Sequence, residues 1–386
     1  MTLEPAATSI DQELASLPTE RRALLERHHF EPARLRALSE RLAAGQHADN
    51  RVASVTAPSE SELRVLPAPG SAEHDRLASI GRALLEAGKV AFCVMAGGMA
   101  TRMGGVVKAL VPLWSEGAPV RFLDFRLAEA RAWKARYGKT VPLWLMTSDA
   151  TDGPLRAALT ELRERGDALT DVHTFPQSLS LRLNDDGTLF RDEHGEVSAY
   201  ATGHGDLVDA LRHSGLCDAF VKGGGKYVWI ANLDNLGATL DEAMLGAFVE
   251  SERPLAVEVV DKEPGDRGGI PVHCAGKLQV LEEFRLPVDF DATQVRSFNT
   301  NTFLVSAEAL LSTPFAWTYF EVHKKVGARS VVQSERLLQE MTAYLDTLYL
   351  RVPRTGVHSR FLPVKDMNEL EARRPALQEL ARHRGL

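Results

Sequence analysis

Three observations predict an α/β fold with a doubly wound, mixed but mostly parallel sheet and an N-terminal helical region. Four short, nearly continuous apolar runs follow Lys89, namely VAFCVMA, VPLWLMT, KYVWIAN and LAVEVV. Such runs are typical of strands buried on both faces of a parallel sheet. Helical stretches alternate with them, as in chains of strand–helix–strand units. The residues before Lys89 carry helical spacing instead. In a sheet of this type, ligands bind beyond the carboxyl ends of the strands.

Residues 1–88 are predicted to form the helical region. Leu35, Leu38 and Leu42 recur at spacings of three and four residues, and EHDRLASIGRALLEAG repeats this pattern further on. That spacing places the leucines on one face of a helix. The polar, proline-bearing residues 46–72 between the two patterns indicate a connecting segment.

Residues 89–346 are predicted to form the α/β domain that binds the ligands. The stretches DFRLAEARAWKARYG and DGPLRAALTELRERG are helical in pattern and end in glycine. Strand-like pieces near residues 278–281 and 302–305 indicate an inserted antiparallel portion. Residues 347–386 form a short C-terminal segment with one strand-like run, a loop and a polar helix.

Composition and charge exclude several classes of protein. The 386 residues include 45 basic and 52 acidic side chains, a formal net charge of −7, which argues against binding a nucleic-acid polymer. No stretch approaches the roughly 20 apolar residues of a membrane span, and the acidic N-terminus differs from a signal peptide. Cys93, Cys217 and Cys274 are odd in number and far apart, which fits neither a disulfide framework nor a zinc site. We expect a cytoplasmic protein without a membrane partner; the sequence favours no particular oligomeric state.

A glycine-rich loop, GGMATRMGGVVK, follows the first apolar run. Its glycines, beginning with Gly97 and Gly98, let the backbone approach a ligand, and Arg102 and Lys108 add positive charge. The pattern is neither the GxGxxG fingerprint nor a P-loop. It favours a phosphate site over a flexible strand-to-helix turn.

A histidine between two glycines is the second candidate. In ATGHGDLVDAL, Gly203 and Gly205 free the backbone around His204, and the following helix offers its N-terminus to an anion. The alternatives are a ligand contact and an ordinary surface or core histidine.

A carboxylate follows the strand KYVWIAN. Asp234 lies where ligands of an α/β sheet bind, and an oxygen ligand of this kind suits Mg²⁺. The alternative is an Asx-turn or a helix cap before Gly237.

Two further segments carry polar groups of interest. Asn299 and Asn301 in FNTNTF lie two positions apart on a predicted extended segment, so they are expected to project to one side and to suit sugar hydroxyls. Lys365 in RFLPVKDMNEL is a cation at the end of an apolar piece. Taken alone, the first segment is more typical of a turn, and the lysine is more typical of a solvated side chain.

Taken in order, GHGD, NLDNLGA, FNTN and FLPVK resemble the UTP:glucose-1-phosphate uridylyltransferase family of the eukaryotic type, over about Phe92 to Leu370. The resemblance implies a nucleotidyltransferase of Rossmann-like fold. The reaction would be a reversible, Mg²⁺-dependent, in-line transfer of uridylyl from UTP to glucose 1-phosphate, giving UDP-glucose and pyrophosphate without a covalent intermediate. The same reaction on galactose 1-phosphate or N-acetylglucosamine 1-phosphate is the alternative within this class. A non-catalytic sugar-nucleotide sensor is the alternative from another class.

The resemblance also implies roles for individual residues. The nucleotide would be bound by Gly97, Gly98, Gln177 and Gly203. The sugar phosphate would be bound by His204, Gly269, Glu282, Asn299 and Asn301. The catalytic cations would be Lys365, Lys108 and Arg102, and Asp234 would hold the metal.

Three features depart from the family pattern. Ala100 stands where the family has a glycine, and the first loop is one residue shorter, without a proline before Lys108. Only 21 residues follow Lys365, whereas eukaryotic members continue into a left-handed β-helix. We therefore expect no β-helix here and no assembly through one.

Overall fold

The computed structural model describes residues 9–100, 103–114 and 120–386. The described residues form twelve α-helices: α1 Ile10–Ala15, α2 Thr19–Arg27, α3 Pro32–Ala43, α4 Ala72–Glu86, α5 Phe122–Tyr137, α6 Asp149–Glu164, α7 Leu207–Ser214, α8 Leu216–Lys222, α9 Glu242–Glu250, α10 Ala307–Ser312, α11 Met341–Tyr344 and α12 Met367–Arg384. They also form eighteen strands: β1 Leu63–Val65, β2 Val90–Met95, β3 Met99–Ala100, β4 Val106–Val107, β5 Pro112–Trp114, β6 Val120–Arg121, β7 Leu143–Thr147, β8 Val172–Pro176, β9 Leu179–Leu181, β10 Ala199–Ala201, β11 Tyr227–Asn232, β12 Leu255–Asp261, β13 Gly269–Cys274, β14 Lys277–Glu282, β15 Ser297–Ser306, β16 Phe320–Val326, β17 Arg329–Glu335 and β18 Thr347–Arg351.

The chain folds into two compact units. The small unit comprises Met1–Asn50, Pro176–Asp206 and Ala316–Leu338. The large unit comprises Arg51–Phe175, Leu207–Phe315 and Gln339–Leu386. The predicted helical region 1–88 contributes to both units and contains the short strand β1. The predicted C-terminal segment 347–386 lies in the large unit, because β18 pairs in parallel with β12.

The large unit is built on a mixed sheet of eight strands, in the order β1-β18-β12-β15-β11-β2-β7-β8. The four predicted apolar runs form β2, β7, β11 and β12. The pairs β1–β18, β12–β18, β11–β2 and β2–β7 are parallel, whereas β15 runs antiparallel to both β11 and β12. This arrangement confirms the predicted α/β fold with a mostly parallel sheet. The expected antiparallel portion consists of β15 and the hairpin β13–β14.

Helices α4 and α9 of the large unit cross at two glycines. A Cβ atom at Gly81 would lie 1.9 Å from the carbonyl oxygen of Glu242, and one at Gly246 would lie 2.0 Å from that of Leu77. No side chain fits between the backbones at these points, so glycine is required for the close approach.

The small unit contains helices α1–α3 and the antiparallel hairpins β9–β10 and β16–β17. Leu35, Leu38 and Leu42 of α3 are buried, which confirms the helix predicted from their spacing. They pack in one apolar cluster with strand residues such as Leu181 and Val332. None of the helices in the described parts of the chain is long and apolar enough to cross a membrane.

Candidate active site

The glycine-rich loop leaves the sheet at the carboxyl end of β2 and closes on itself through β3 and β4, which pair antiparallel. The Gly97 carbonyl accepts a hydrogen bond from Ser148 Oγ at 2.9 Å, and the Lys108 amide donates to the Gly98 carbonyl at 3.3 Å. These bonds fix both ends of the loop beside the strand end. Arg102 lies outside the described residues.

Lys108 and Asp234 form an ion pair at this edge of the sheet. The ammonium Nζ of Lys108 lies 2.6 Å from Oδ2 of Asp234, and the side chains are 13% and 25% exposed. Asp234 follows the end of β11, as the sequence predicted for a carboxylate at the strand terminus. A phosphate bound to Lys108 would take the place of the negative Asp234 carboxylate. A metal ion bound to Asp234 would take the place of the positive Lys108 ammonium.

The segment before Lys365 is bound to the loop that carries Asp234. The Val364 amide donates to the Asp234 carbonyl at 3.0 Å. Buried Asn235 accepts from the Leu362 amide at 2.8 Å and donates to the Arg360 carbonyl at 3.1 Å. The backbone at Lys365 is thereby held near Asp234, while the Lys365 side chain is exposed.

A buried ionic triad supports the same loop from within the unit. Glu129 accepts from Arg126 Nη1 and from Arg384 Nη1, each at 2.7 Å. The two guanidinium groups also donate, at 2.6 to 3.2 Å, to the carbonyl oxygens of Asn232, Asn235, Leu236, Gly237 and Ala238. No motif in the sequence indicated this triad. Arg126 and Glu129 lie one turn apart on α5, but Arg384 is 255 residues further along the chain, and only the loop NLDNLGA gave a signal.

Gly269, Glu282 and Asn299 converge at a second place in the large unit. Gly269 pairs with Glu282 in the β13–β14 hairpin. A Cβ atom at Gly269 would lie 3.3 Å from Asn299 Nδ2 and 3.5 Å from Glu282 Oε1. Gln339, which the sequence analysis missed, donates from Nε2 to Glu282 Oε1 at 2.6 Å. Burial raises the pKa of Glu282 to about 7, so this carboxyl group can donate or accept a hydrogen bond near neutral pH.

The expectation that Asn299 and Asn301 project to one side of an extended segment is wrong, because the backbone at Asn301 is not extended. The pairing of β15 with β12 shifts between Val257 and Val259, and Asn301 adopts a left-handed φ of 58°. Its amide donates to Asn299 Oδ1 at 3.0 Å, and its Nδ2 donates to Asn232 Oδ1 at 3.1 Å. The register shift in β15 therefore brings the side chain of Asn301 to Asn232 at the end of β11, two residues before Asp234.

Gly203 and His204 lie in the small unit. Gly203 has a φ of 91°, and a Cβ atom there would lie 2.7 Å from the Arg336 carbonyl oxygen. Nδ1 of His204 accepts from the Leu338 amide at 3.1 Å, which places the ring proton on Nε2. Burial lowers the pKa of His204 to about 4. The imidazole is therefore neutral at physiological pH and offers an N–H donor.

Asp206, the last residue of GHGD, organises this part of the small unit. It is fully buried, pairs with Arg336 and accepts a hydrogen bond from the Ser178 amide. These contacts tie the histidine loop to the segment that carries buried Gln177. The role of Asp206 could not be predicted from the motif GHGD, because its partners Ser178 and Arg336 lie 28 and 130 residues away in the chain.

The sequence of this chain matches the model of a known protein family over most of its length. The model described as UTP–glucose-1-phosphate uridylyltransferase matches residues 30–383. The chain belongs to this family. Curated uridylyltransferases of the same name from Solanum tuberosum and Musa acuminata are 32% and 31% identical to it, over 71% and 73% of the chain. The alignments span 58% and 62% of those relatives, so the chain corresponds to about three fifths of their length.

Solved structures show the uridylyltransferase fold in more distant proteins. A UDP-glucose phosphorylase from Trypanosoma brucei has a TM-score of 0.74 at 22% identity, covering 94% of this chain and 78% of the other. A UDP-N-acetylglucosamine pyrophosphorylase from the same organism has a TM-score of 0.73 at 21% identity, covering 97% and 85%. At these identities the comparison supports the α/β fold alone.

Proposed function

We propose that this protein catalyses the reversible transfer of uridylyl from UTP to glucose 1-phosphate, giving UDP-glucose and pyrophosphate. The observation that carries the proposal is the Lys108–Asp234 pair at the carboxyl end of β11, beside the segment that ends in Lys365. A cation and a metal-binding carboxylate at this position suit a reaction between two phosphate esters. Membership of the uridylyltransferase family supports the choice of uridylyl as the group transferred.

In the proposed reaction an oxygen of glucose 1-phosphate attacks the α-phosphorus of UTP while the bond to pyrophosphate breaks. No side chain needs to act as a nucleophile. The protein holds the two substrates in line and stabilises the charge that spreads over the phosphoryl oxygens. We assign this stabilisation to Lys108, Lys365 and Arg102.

Asp234 fits the Mg²⁺ that we propose for this reaction. Its carboxylate is partly exposed, and Lys108 contacts Oδ2 of it. Mg²⁺ commonly binds one or two protein carboxylates together with substrate phosphates and water. Bound there, the ion would neutralise phosphate charge.

The remaining residues suit recognition of the two substrates. We assign nucleotide contacts to the backbone at Gly97 and Gly98, and to Gln177 and Gly203. For the hexose we assign the cluster of Gly269, Glu282, Asn299 and Asn301, in which a carboxyl group and two amides supply donors and acceptors for hydroxyls. The Nε2–H of His204 is assigned to the sugar phosphate.

A pyrophosphorolysis assay tests the reaction and the sugar together. UDP-glucose, UDP-galactose and UDP-N-acetylglucosamine are each supplied with pyrophosphate and Mg²⁺, and UTP formation is measured. We expect UDP-glucose to give the highest kcat/KM. A preference for either other substrate would replace glucose with that sugar, and binding of UDP-glucose without turnover would favour the non-catalytic sensor.

The variant Asp234→Asn tests the metal assignment. It keeps the shape of the side chain but removes its charge, so the Mg²⁺ concentration for half-maximal activity should rise at least ~10-fold. Asp218→Asn, at an exposed surface pair with Lys222, is the matched control. An unchanged Mg²⁺ dependence in Asp234→Asn would exclude this aspartate as the ligand.

A further inference from the structure

Two histidines and a glutamate form a cluster in the small unit that the proposed reaction does not use. One ligand atom from each of His47, Glu321 and His323 lies within 4.8 Å of the other two. His47 Nδ1 is 2.6 Å from Glu321 Oε1, and His323 Nε2 is 3.4 Å from the same oxygen. Both ring nitrogens thus face one carboxylate oxygen.

The other oxygen of this carboxylate is held by the protein. Oε2 of Glu321 accepts from the Ala48 amide and from Arg41 Nη2, each at 3.2 Å. Asn50 donates to the Glu321 carbonyl at 2.9 Å. The glutamate is almost completely buried and fixed in orientation, which leaves Oε1 directed at the two histidines.

The second ring nitrogen of His323, Nδ1, also faces a carboxylate. Its Nδ1 lies 3.7 Å from Oδ1 of Asp185. Ligating histidines commonly direct their second ring nitrogen at a carboxylate or carbonyl, which fixes the tautomer and raises the basicity of the ligating nitrogen. Asp185 also offsets the positive charge that Arg41 brings to the cluster.

We propose that His47 Nδ1, His323 Nε2 and Glu321 Oε1 bind a transition-metal ion of the Zn²⁺ class. Two imidazoles and one carboxylate suit Zn²⁺, Ni²⁺ or Cu²⁺ rather than Mg²⁺ or Ca²⁺. Ligand atoms about 2.0–2.1 Å from Zn²⁺ in a tetrahedral site lie roughly 3.3 Å apart. The His323 contact, at 3.4 Å, already has about this spacing, and the exposed His47 side chain would need to move outward by about 0.7 Å from its present 2.6 Å. Water would complete the coordination.

Bound there, the ion would join the segment around His47 to strand β16, which carries Glu321 and His323. His47 lies 274 residues before Glu321 in the chain, so an ion that binds all three side chains favours the folded small unit over the unfolded chain. The ion at this site thus stabilises the folded small unit, and the site is independent of the Mg²⁺ proposed for the reaction.

Zinc binding to the full-length, chelator-treated chain tests the proposal. Isothermal titration with ZnCl₂ in millimolar Mg²⁺ should show one bound equivalent, and thermal unfolding followed by circular dichroism should show a raised midpoint with zinc. His323→Asn and His47→Asn should each weaken this binding at least ~10-fold. Both side chains are about half exposed, and circular dichroism without metal would verify that the variants are folded.

His273→Asn is the matched control, because His273 also contacts a glutamate, Glu62, at 2.9 Å but lies outside the cluster. Its zinc binding should equal that of the wild type. The absence of a bound equivalent in the wild type would overturn the proposal. So would undiminished binding in both cluster variants, which would point instead to another group such as Cys274.

Discussion

Two ionic arrangements in the large unit act on the same loop, residues 232–238, in different ways. The triad of Arg126, Glu129 and Arg384 is buried, and its guanidinium groups donate to five carbonyl oxygens of the loop. The pair of Lys108 and Asp234 is partly exposed and has one direct contact. The triad therefore fixes the backbone, whereas the pair leaves a carboxylate that can exchange its cation. A rigid loop that carries an exchangeable charge suits the phosphate transfer proposed above.

Breaking the triad should have the largest effect on stability. Arg126→Met leaves three of the five carbonyl oxygens without their arginine donor and Glu129 with one partner. The free energy of unfolding should therefore fall by about 3–5 kcal/mol. Urea unfolding followed by tryptophan fluorescence measures this change. The control Lys222→Met disrupts an exposed pair with Asp218 and should cost about 0.3–0.5 kcal/mol. Similar losses in the two variants would show that the triad does not support the loop.

Glu282, unlike Glu129 of the triad, is a buried carboxyl group that lacks a cationic partner among the described residues. Its pKa of about 7 exceeds the ordinary value of 4.5, so the folded protein binds the proton more tightly than the unfolded chain. The contribution to stability is complete below pH 4.5 and is lost as the pH rises towards 7, a change of about 3 kcal/mol.

Glu282→Gln should remove that part of the pH dependence. Urea unfolding at pH 5 and pH 8 should show a smaller difference between the two pH values in the variant than in the wild type. Glu308→Gln alters an exposed carboxyl group outside this cluster and should behave like the wild type. If the variant and the wild type gave parallel pH profiles, Glu282 would be ionised throughout this range.

Lys365 tests whether a cation whose backbone is fixed near Asp234 acts in the reaction. Lys365→Ala should lower kcat at least ~100-fold, the scale expected for one oriented charge contact in the transition state. Stability should be unchanged because the side chain is exposed. The assay is UDP-glucose pyrophosphorolysis, with Lys222→Ala as the control for loss of a surface lysine. Wild-type turnover in Lys365→Ala would remove this residue from the mechanism.

Much of the fold could be predicted because its signals are local. Apolar runs predicted β2, β7, β11 and β12, and the leucine spacing predicted α3. The irregularity at Asn301 could not be predicted, because it depends on how β15 pairs with β12. The partners of Asp206 and Glu282 also lie far along the chain, at Arg336 and Gln339. Periodicity carries no information about such contacts, so the sequence indicated which side chains are polar but not what holds them.

Lys108→Met should have a much smaller effect on stability than Arg126→Met, and it therefore tests the difference between the pair and the triad most directly. The pair with Asp234 is partly exposed and single, so its loss should lower the free energy of unfolding by less than ~1 kcal/mol. Turnover should nevertheless fall, because a phosphate contact is lost. The Mg²⁺ concentration for half-maximal activity should also fall, since Asp234 no longer has a competing cation. Urea unfolding and a Mg²⁺ titration of the pyrophosphorolysis rate measure the two effects. A stability loss as large as that of Arg126→Met would mean that the pair, like the triad, serves the fold and not the exchange of cations.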